Sequence, residues 1–154
     1  MLGHPAAEES PVGEAVRARS ERGGGWLGWV VSVPDLAPYE VRLGGESVRG
    51  SRHFPDGRLL EWQQIGVKGL MSDPQLPYFV EWETLDVHPS HGAEDSGVTI
   101  ETLQIAGDPE RVCEWLGLPA KKTSTVIDFA FVAPHGTPGL LSVTFDTAEG
   151  KVVI

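Results

Sequence analysis

The sequence has a single cysteine, few basic residues and no long apolar run. Because Cys113 stands alone among 154 residues, these residues can form neither an internal disulfide nor a cysteine-rich zinc site. Twelve Lys and Arg residues against 22 Asp and Glu residues give a formal charge of −10, which repels the phosphate backbone of a nucleic acid. No stretch approaches the roughly 20 apolar residues of a membrane span. We therefore expect a cytoplasmic protein with neither a nucleic acid nor a membrane as partner.

The first periodic pattern in the chain predicts a helix. Ser10 and Pro11 are a typical N-cap and first helical residue, and Glu14 lies near the first turn. Glycines at 23–25 follow the pattern and predict a flexible hinge. Residues 1–25 are thus expected to comprise this hinge and a connector helix at about 11–22, whose charged side chains face solvent.

Two longer segments, at 26–85 and 98–154, share one predicted order of elements, β-α-β-β-β, on either side of a polar linker at 86–97. In the first segment we expect strands at 26–33, 47–54, 58–65 and 77–83 and a helix at 36–43. In the second we expect strands at 98–106, 126–132, 139–146 and 150–154 and a helix at 109–116.

The helices of the two segments also align without a gap. Asp35 aligns with Asp108 as the predicted N-cap, and Gly44 aligns with Gly117 as the residue that ends the helix. The coincidence with the shared element order favours an internal duplication over two unrelated units that happen to share capping chemistry. We therefore predict an α+β fold of two like-ordered modules.

Five stretches of the sequence follow one another in a recognisable order: GGGWLGWVVSVPDL at 23–36, SRHFPDGRLLEW at 51–62, LPYFVEWE at 76–83, HPS at 88–90 and GDPERVCEWLG at 107–117. Together they resemble the glyoxalase-like domain proteins of the vicinal oxygen chelate superfamily. The resemblance implies two β-α-β-β-β modules that pair curved mixed sheets around a cleft, preceded by a connector helix. It also implies a further module before that helix, which we expect this chain to lack.

The same resemblance implies a divalent metal held by His, Gln or Glu side chains of the first and last strands of each module. Glu81 falls at the carboxylate position and is the candidate metal ligand and catalytic residue, whereas Gly28 stands where the histidine would be. The second module offers only Glu101 or Thr102 and, in its last strands, Asp146. Because three or four donors must converge on a metal, the sequence does not supply a complete ligand set, and the cofactor stays unknown.

Residues Arg52, Glu61, Trp62 and Phe79 are the candidates for contact with a bound small molecule. Arg52 and Glu61 flank a predicted hairpin turn, where they could face a carboxylate or phosphate or else form a charged hairpin tip. Phe79 and Glu81 lie two residues apart on one strand and therefore point to the same face of the sheet. This face either lines the cleft or faces solvent. Tryptophan side chains are expected in the core or the cleft wall.

Two histidines, His88 and His91, lie in the linker, and we interpret them as solvated rather than as metal ligands.

Three functions are compatible with these patterns. We favour a small-molecule binding module without a complete metal site. The alternative is a metal-dependent lyase, isomerase or dioxygenase that uses Glu81 and takes its other ligands from a partner chain or the missing module. In the third, the chain is a subunit fragment whose exposed sheet face is completed by a partner or by a second copy of the chain, the latter forming a homodimer.

Overall fold

The computed structural model describes residues 11–88, 96–118 and 126–154, which form four helices and two four-stranded sheets. Both sheets contain parallel and antiparallel pairs, so the fold is α+β, as predicted. In chain order the elements are α1 (Pro11–Glu21), β1 (Val30–Ser32), α2 (Ala37–Leu43), β2 (Val48–His53), β3 (Leu59–Ile65), α3 (Gly69–Ser72), β4 (Tyr78–Trp82), β5 (Thr99–Ala106), α4 (Pro109–Leu116), β6 (Asp128–Val132), β7 (Gly139–Thr147) and β8 (Gly150–Val153).

Three details differ from the predicted elements. β1 has three residues rather than the expected 26–33, because Trp26 and Trp29 pack against the core of the second sheet instead. The short helix α3 occupies a stretch predicted to be a loop. The N-cap of α2 is Leu36, while Asp35 accepts a hydrogen bond from the backbone N–H of Ala37 at 2.9 Å. The cap predicted at residue 10 lies outside the described residues.

The first sheet has the strand order β1-β4-β3-β2. β1 runs parallel to β4, and the other two pairs are antiparallel. One face is covered by α2, which buries Val33, Leu36, Ile65 and Phe79 in a small core. We call this the helix-covered face of the first sheet.

The second sheet has the different strand order β6-β5-β7-β8. Its helix, α4, connects the neighbouring parallel strands β5 and β6, whereas α2 connects the two edge strands of the first sheet. The two units thus share the β-α-β-β-β order along the chain, but their strands are arranged differently within the sheets. Matching glycines end the two helices in the left-handed conformation, at φ 65° for Gly44 and 71° for Gly117, yet this local chemistry does not decide which strand pairs with which.

The loop before β4 joins the two sheets. Gln75, which is 7 % exposed, accepts a hydrogen bond from the backbone N–H of Asp108 through its side-chain oxygen at 2.9 Å. Its backbone carbonyl accepts a second bond from the indole N–H of Trp29 at 3.0 Å. Trp115 of α4 donates its indole N–H to the carbonyl of Pro77 at 2.8 Å and packs against the cores of both sheets. These contacts hold the two units against each other.

Candidate functional site

An apolar cavity of about 860 Å³ lies between the two sheets. Its walls come from β1 and β4 of the first sheet, from β5, β6 and β7 of the second sheet, and from the end of α4. None of the described residues that line it carries a charge. The lining includes Trp29, Val31, Phe79, Leu103, Phe129 and Val143.

The wall from the second sheet follows from strand alternation. Leu103 on β5 lies in register with Phe129 on β6 and with Val143 on β7, so three neighbouring strands present apolar side chains to one face. Helix α4 packs on this face through Val112, which is fully buried. The part of the face that extends past the helix forms the cavity wall.

Tyr39 contributes a polar side chain to the wall from the first unit. The ring of Tyr39 packs on Phe79 with centroids 4.3 Å apart, which fixes the position of the phenol. The indole N–H of Trp29 already donates to a backbone carbonyl. A cavity of this kind suits a largely apolar molecule with one or two hydrogen-bonding groups.

The five residues predicted to form the site are divided between the two faces of the first sheet. Register and alternation put Glu61, Phe79 and Glu81 on the helix-covered face, and Arg52 and Trp62 on the opposite face. Of the five, only Phe79 lines the cavity. The structure therefore does not bring them together in one site.

Glu81 contacts the beginning of α2. Its carboxylate accepts a hydrogen bond from the backbone N–H of Leu36 at 2.8 Å. Within the described residues, no group of three or more His, Cys, Asp or Glu side chains is placed to hold a metal ion. The donors that the structure describes around Glu81 thus do not fit a divalent metal. Of the linker histidines, His88 packs edge-on to Trp82 at 4.6 Å, and His91 lies outside the described residues.

Arg52 and Glu61 have the contacts expected of a charged hairpin. The Arg52 guanidinium lies 5.4 Å from the centroid of the Phe54 ring. Glu61 lies 3.7 Å from Arg49, which makes a closer contact of 2.7 Å with Glu83. The hydrogen bond from Arg49 lowers the pKa of the Glu83 carboxyl below its ordinary value. This network lies on the helix-covered face, beyond the apolar core.

Trp62 forms an aromatic patch on the opposite face with Trp82, whose ring centroid is 5.7 Å away. Its indole N–H donates to the side-chain oxygen of Gln64 at 3.0 Å. The indole lies directly on Gly50, where a Cβ would come within 2.4 Å of it. The patch is separate from the cavity, because none of these residues lines it.

Most of the cavity wall was missed by sequence reasoning. The resemblance implied a site of polar side chains in the first unit, whereas the cavity wall is apolar and comes partly from the second unit. The signal that could have found it is the alternation of Leu103 with Ile105 on β5 and of Phe129 with Phe131 on β6, which predicts an apolar sheet face. Trp26 and Trp29 do line the cavity, in agreement with the expected role of tryptophans in a cleft wall.

Two mixed four-stranded sheets with an apolar cavity between them define a small α+β protein with a cleft-type site. The sequence profile of the glyoxalase-like domain matches residues 2–120, which is more than half of the chain. The chain therefore belongs to the glyoxalase-like domain family, and the resemblance seen in the sequence is confirmed. The matched stretch includes the first sheet, β5 and α4 and ends before β6.

A solved structure described as the crystal structure of a hypothetical protein from Staphylococcus aureus is similar in fold. The two chains superpose with a TM-score of 0.62 at 12 % sequence identity, over 94 % of this chain and 69 % of that chain. At such low identity the likeness concerns the fold alone. A comparison with curated proteins found no match. Among the described residues, no helix is both long and apolar enough to cross a membrane.

Proposed function

We propose that this protein binds a small, largely apolar molecule in the cavity between its two sheets. The observation that carries the proposal is the aromatic and aliphatic lining of this cavity. Its volume of about 860 Å³ lies within the roughly 300–1,000 Å³ of typical ligand pockets. A cytoplasmic location is part of the proposal, since a chain with one cysteine needs no oxidising compartment.

The lining residues determine which kinds of ligand the cavity can bind. Burial of apolar ligand surface contributes about 25 cal/mol per Å². A charged group would lose its hydration without gaining a partner, because the described lining residues carry no charge. The hydroxyl of Tyr39 can orient a ligand by a hydrogen bond at one wall.

These side chains support binding better than metal-assisted chemistry. Tyr39 is the one titratable side chain among the described lining residues, and Glu81 is engaged with the backbone of Leu36. The alternative, a metal-dependent lyase or dioxygenase that uses Glu81, needs ligands from elsewhere. Metal analysis of protein purified without chelator tests it. A near-stoichiometric divalent metal that is lost in Glu81→Gln would favour the enzyme over the binding protein.

Titration with N-phenyl-1-naphthylamine, a neutral apolar fluorophore, tests the binding proposal. Val31 and Val48 are valines on the two edge strands of the first sheet, but only Val31 lines the cavity, on the same face of the sheet as Phe79. We expect saturable binding that Val31→Glu weakens at least about tenfold and that Val48→Glu leaves within about twofold. Unfolding midpoints of both variants check that they are folded.

Two results would contradict the proposal. One is the absence of saturable probe binding to the wild-type protein. The other is equal binding by Val31→Glu and Val48→Glu, which would locate the probe away from the cavity between the sheets.

A further inference from the structure

A second cavity, of about 610 Å³, lies between α1 and the beginning of β7. Trp26 and Leu140 line both this cavity and the apolar one, so the two are neighbours that share a wall. Unlike the apolar cavity, the second one is lined by charged side chains. These are Arg19 and Arg22 and a single carboxylate, Glu14.

Arg19, which lines this cavity, has an unsatisfied donor. Its Nε–H group is buried and has no hydrogen-bond partner among the described residues. No carboxylate of the described residues forms an ion pair with it. A buried donor without an acceptor is unfavourable, and native proteins pair nearly all such groups. The guanidinium of Arg19 therefore has hydrogen-bonding capacity that none of the described residues uses.

The backbone makes room for the Arg19 guanidinium. A Cβ at Gly25 would lie 2.6 Å from Nη2 of Arg19 and 3.3 Å from its Nε, so only glycine allows the side chain to lie there. Gly25 also has a φ of +100°, which other residues rarely adopt. The position of the guanidinium is thus set by the chain as it leaves α1.

Two further donors line the same cavity. Arg22 donates its Nε–H to the carbonyl of Ala18 at 2.9 Å, which leaves the terminal nitrogens of its guanidinium for another partner. Thr137 adds a hydroxyl from the loop before β7. Two guanidinium groups against one carboxylate make this region locally positive in a chain whose formal charge is −10.

We propose that this cavity binds the oxyanion group of a small molecule, a carboxylate or a phosphate, with Arg19 as its main ligand and Arg22 as a second cation. Guanidinium groups present paired N–H donors that match the geometry of both anions. The site is independent of the proposed binding of a neutral apolar molecule. A failure of one proposal therefore leaves the other unaffected.

Titration of the full chain with inorganic phosphate, and separately with sodium acetate, tests the site, with binding followed by calorimetry. We expect saturable binding of at least one anion. Arg19→Gln should weaken it at least about tenfold, whereas Arg17→Gln should leave it within about twofold. Arg17 is the matched control because it is an exposed arginine of the same helix that does not line the cavity. Binding of acetate alone indicates a carboxylate ligand, and binding of phosphate alone indicates a phosphate ligand.

A second measurement covers the case in which Arg19→Gln does not fold. Phenylglyoxal modifies arginine side chains, and mass spectrometry maps the modified positions in the wild-type protein. The proposal expects the bound anion to slow modification of Arg19 and not of Arg17. No saturable binding of either anion, or equal loss of binding in both variants, would overturn it, as would equal protection of the two arginines.

Discussion

The carboxylate of Glu81 on β4 accepts a hydrogen bond of 2.8 Å from the backbone N–H of Leu36, the N-cap residue of α2. The first N–H groups of a helix have no partner within the helix, and a leucine cannot cap them with its own side chain. Leu36 is instead 3 % exposed and packs in the core of the first sheet. Glu81 thus allows an apolar residue to occupy the cap position.

We expect Glu81→Ala to lower the free energy of unfolding by about 1–3 kcal/mol, because the substitution leaves a part-buried N–H group without its charged acceptor. Urea denaturation measures the change. Glu114→Ala is the control, since Glu114 is an exposed carboxylate of α4 and its replacement should change stability by no more than about 0.5 kcal/mol. Equal stability of the two variants would show that the contact with Leu36 contributes little.

We expect that even a methyl side chain at Gly50 on β2 lowers the stability of the protein. A Cβ at this position would come within 2.4 Å of the Trp62 indole, so the indole must move away from the sheet. We expect Gly50→Ala to destabilise the protein by about 1–3 kcal/mol and to shift the tryptophan emission maximum. Ser51→Ala, at the next and exposed residue of the same strand, should do neither. An unchanged emission maximum in Gly50→Ala would mean that the indole does not lie on the glycine.

Local chemistry is what the sequence predicted well. Asp108 accepts a hydrogen bond from the backbone N–H of Glu110 at 2.9 Å, as an N-cap should, and Gly117 ends α4 as predicted. The hairpin between β2 and β3 forms around Gly57, whose φ is 88°. Each of these features depends on a few neighbouring residues, so the pattern that specifies it is contiguous in the sequence.

Partners that are distant in the sequence could not be predicted in this way. The strand order of the second sheet depends on which strand pairs with β5, and the capping match between α2 and α4 carries no information on that choice. The cavity wall could not be predicted for the same reason, since Val31 and Phe129 come together only when the two sheets pack. Arg19 was interpreted as part of a solvated helix face, because its burial depends on Gly25 and on the loop before β7.

The ion pair between Arg49 and Glu83 predicts a specific pH dependence. The hydrogen bond from Arg49 lowers the pKa of Glu83 below its ordinary value of 4.5, so the folded state binds fewer protons here than the unfolded state. The stabilisation is therefore present above the unfolded pKa and is lost as the pH falls through the lower, folded pKa.

We expect Arg49→Gln to raise the pKa of Glu83 towards its ordinary value, as measured by an NMR titration of the Glu83 carboxyl carbon. Arg52→Gln removes the same charge from the same strand but on the opposite face, and it should leave the titration unchanged. A Glu83 titration that responds equally to both substitutions would indicate a general charge effect rather than the pair.

β8 is an edge strand, and it predicts self-association. Within the described residues it pairs only with β7, and Val152, Val153 and Ile154 are 47 %, 65 % and 65 % exposed. An exposed apolar edge offers unpaired backbone groups and apolar side chains to a second copy of the chain, whereas a lysine on such an edge opposes pairing. We therefore expect sedimentation velocity to show a dimer whose population rises with concentration across the micromolar range.

Val153→Lys should shift the equilibrium to monomer, while Val48→Lys, at an exposed valine on the edge strand β2, should not. If the wild-type protein stays monomeric throughout, or if both variants dissociate alike, the β8 edge is not the contact between copies.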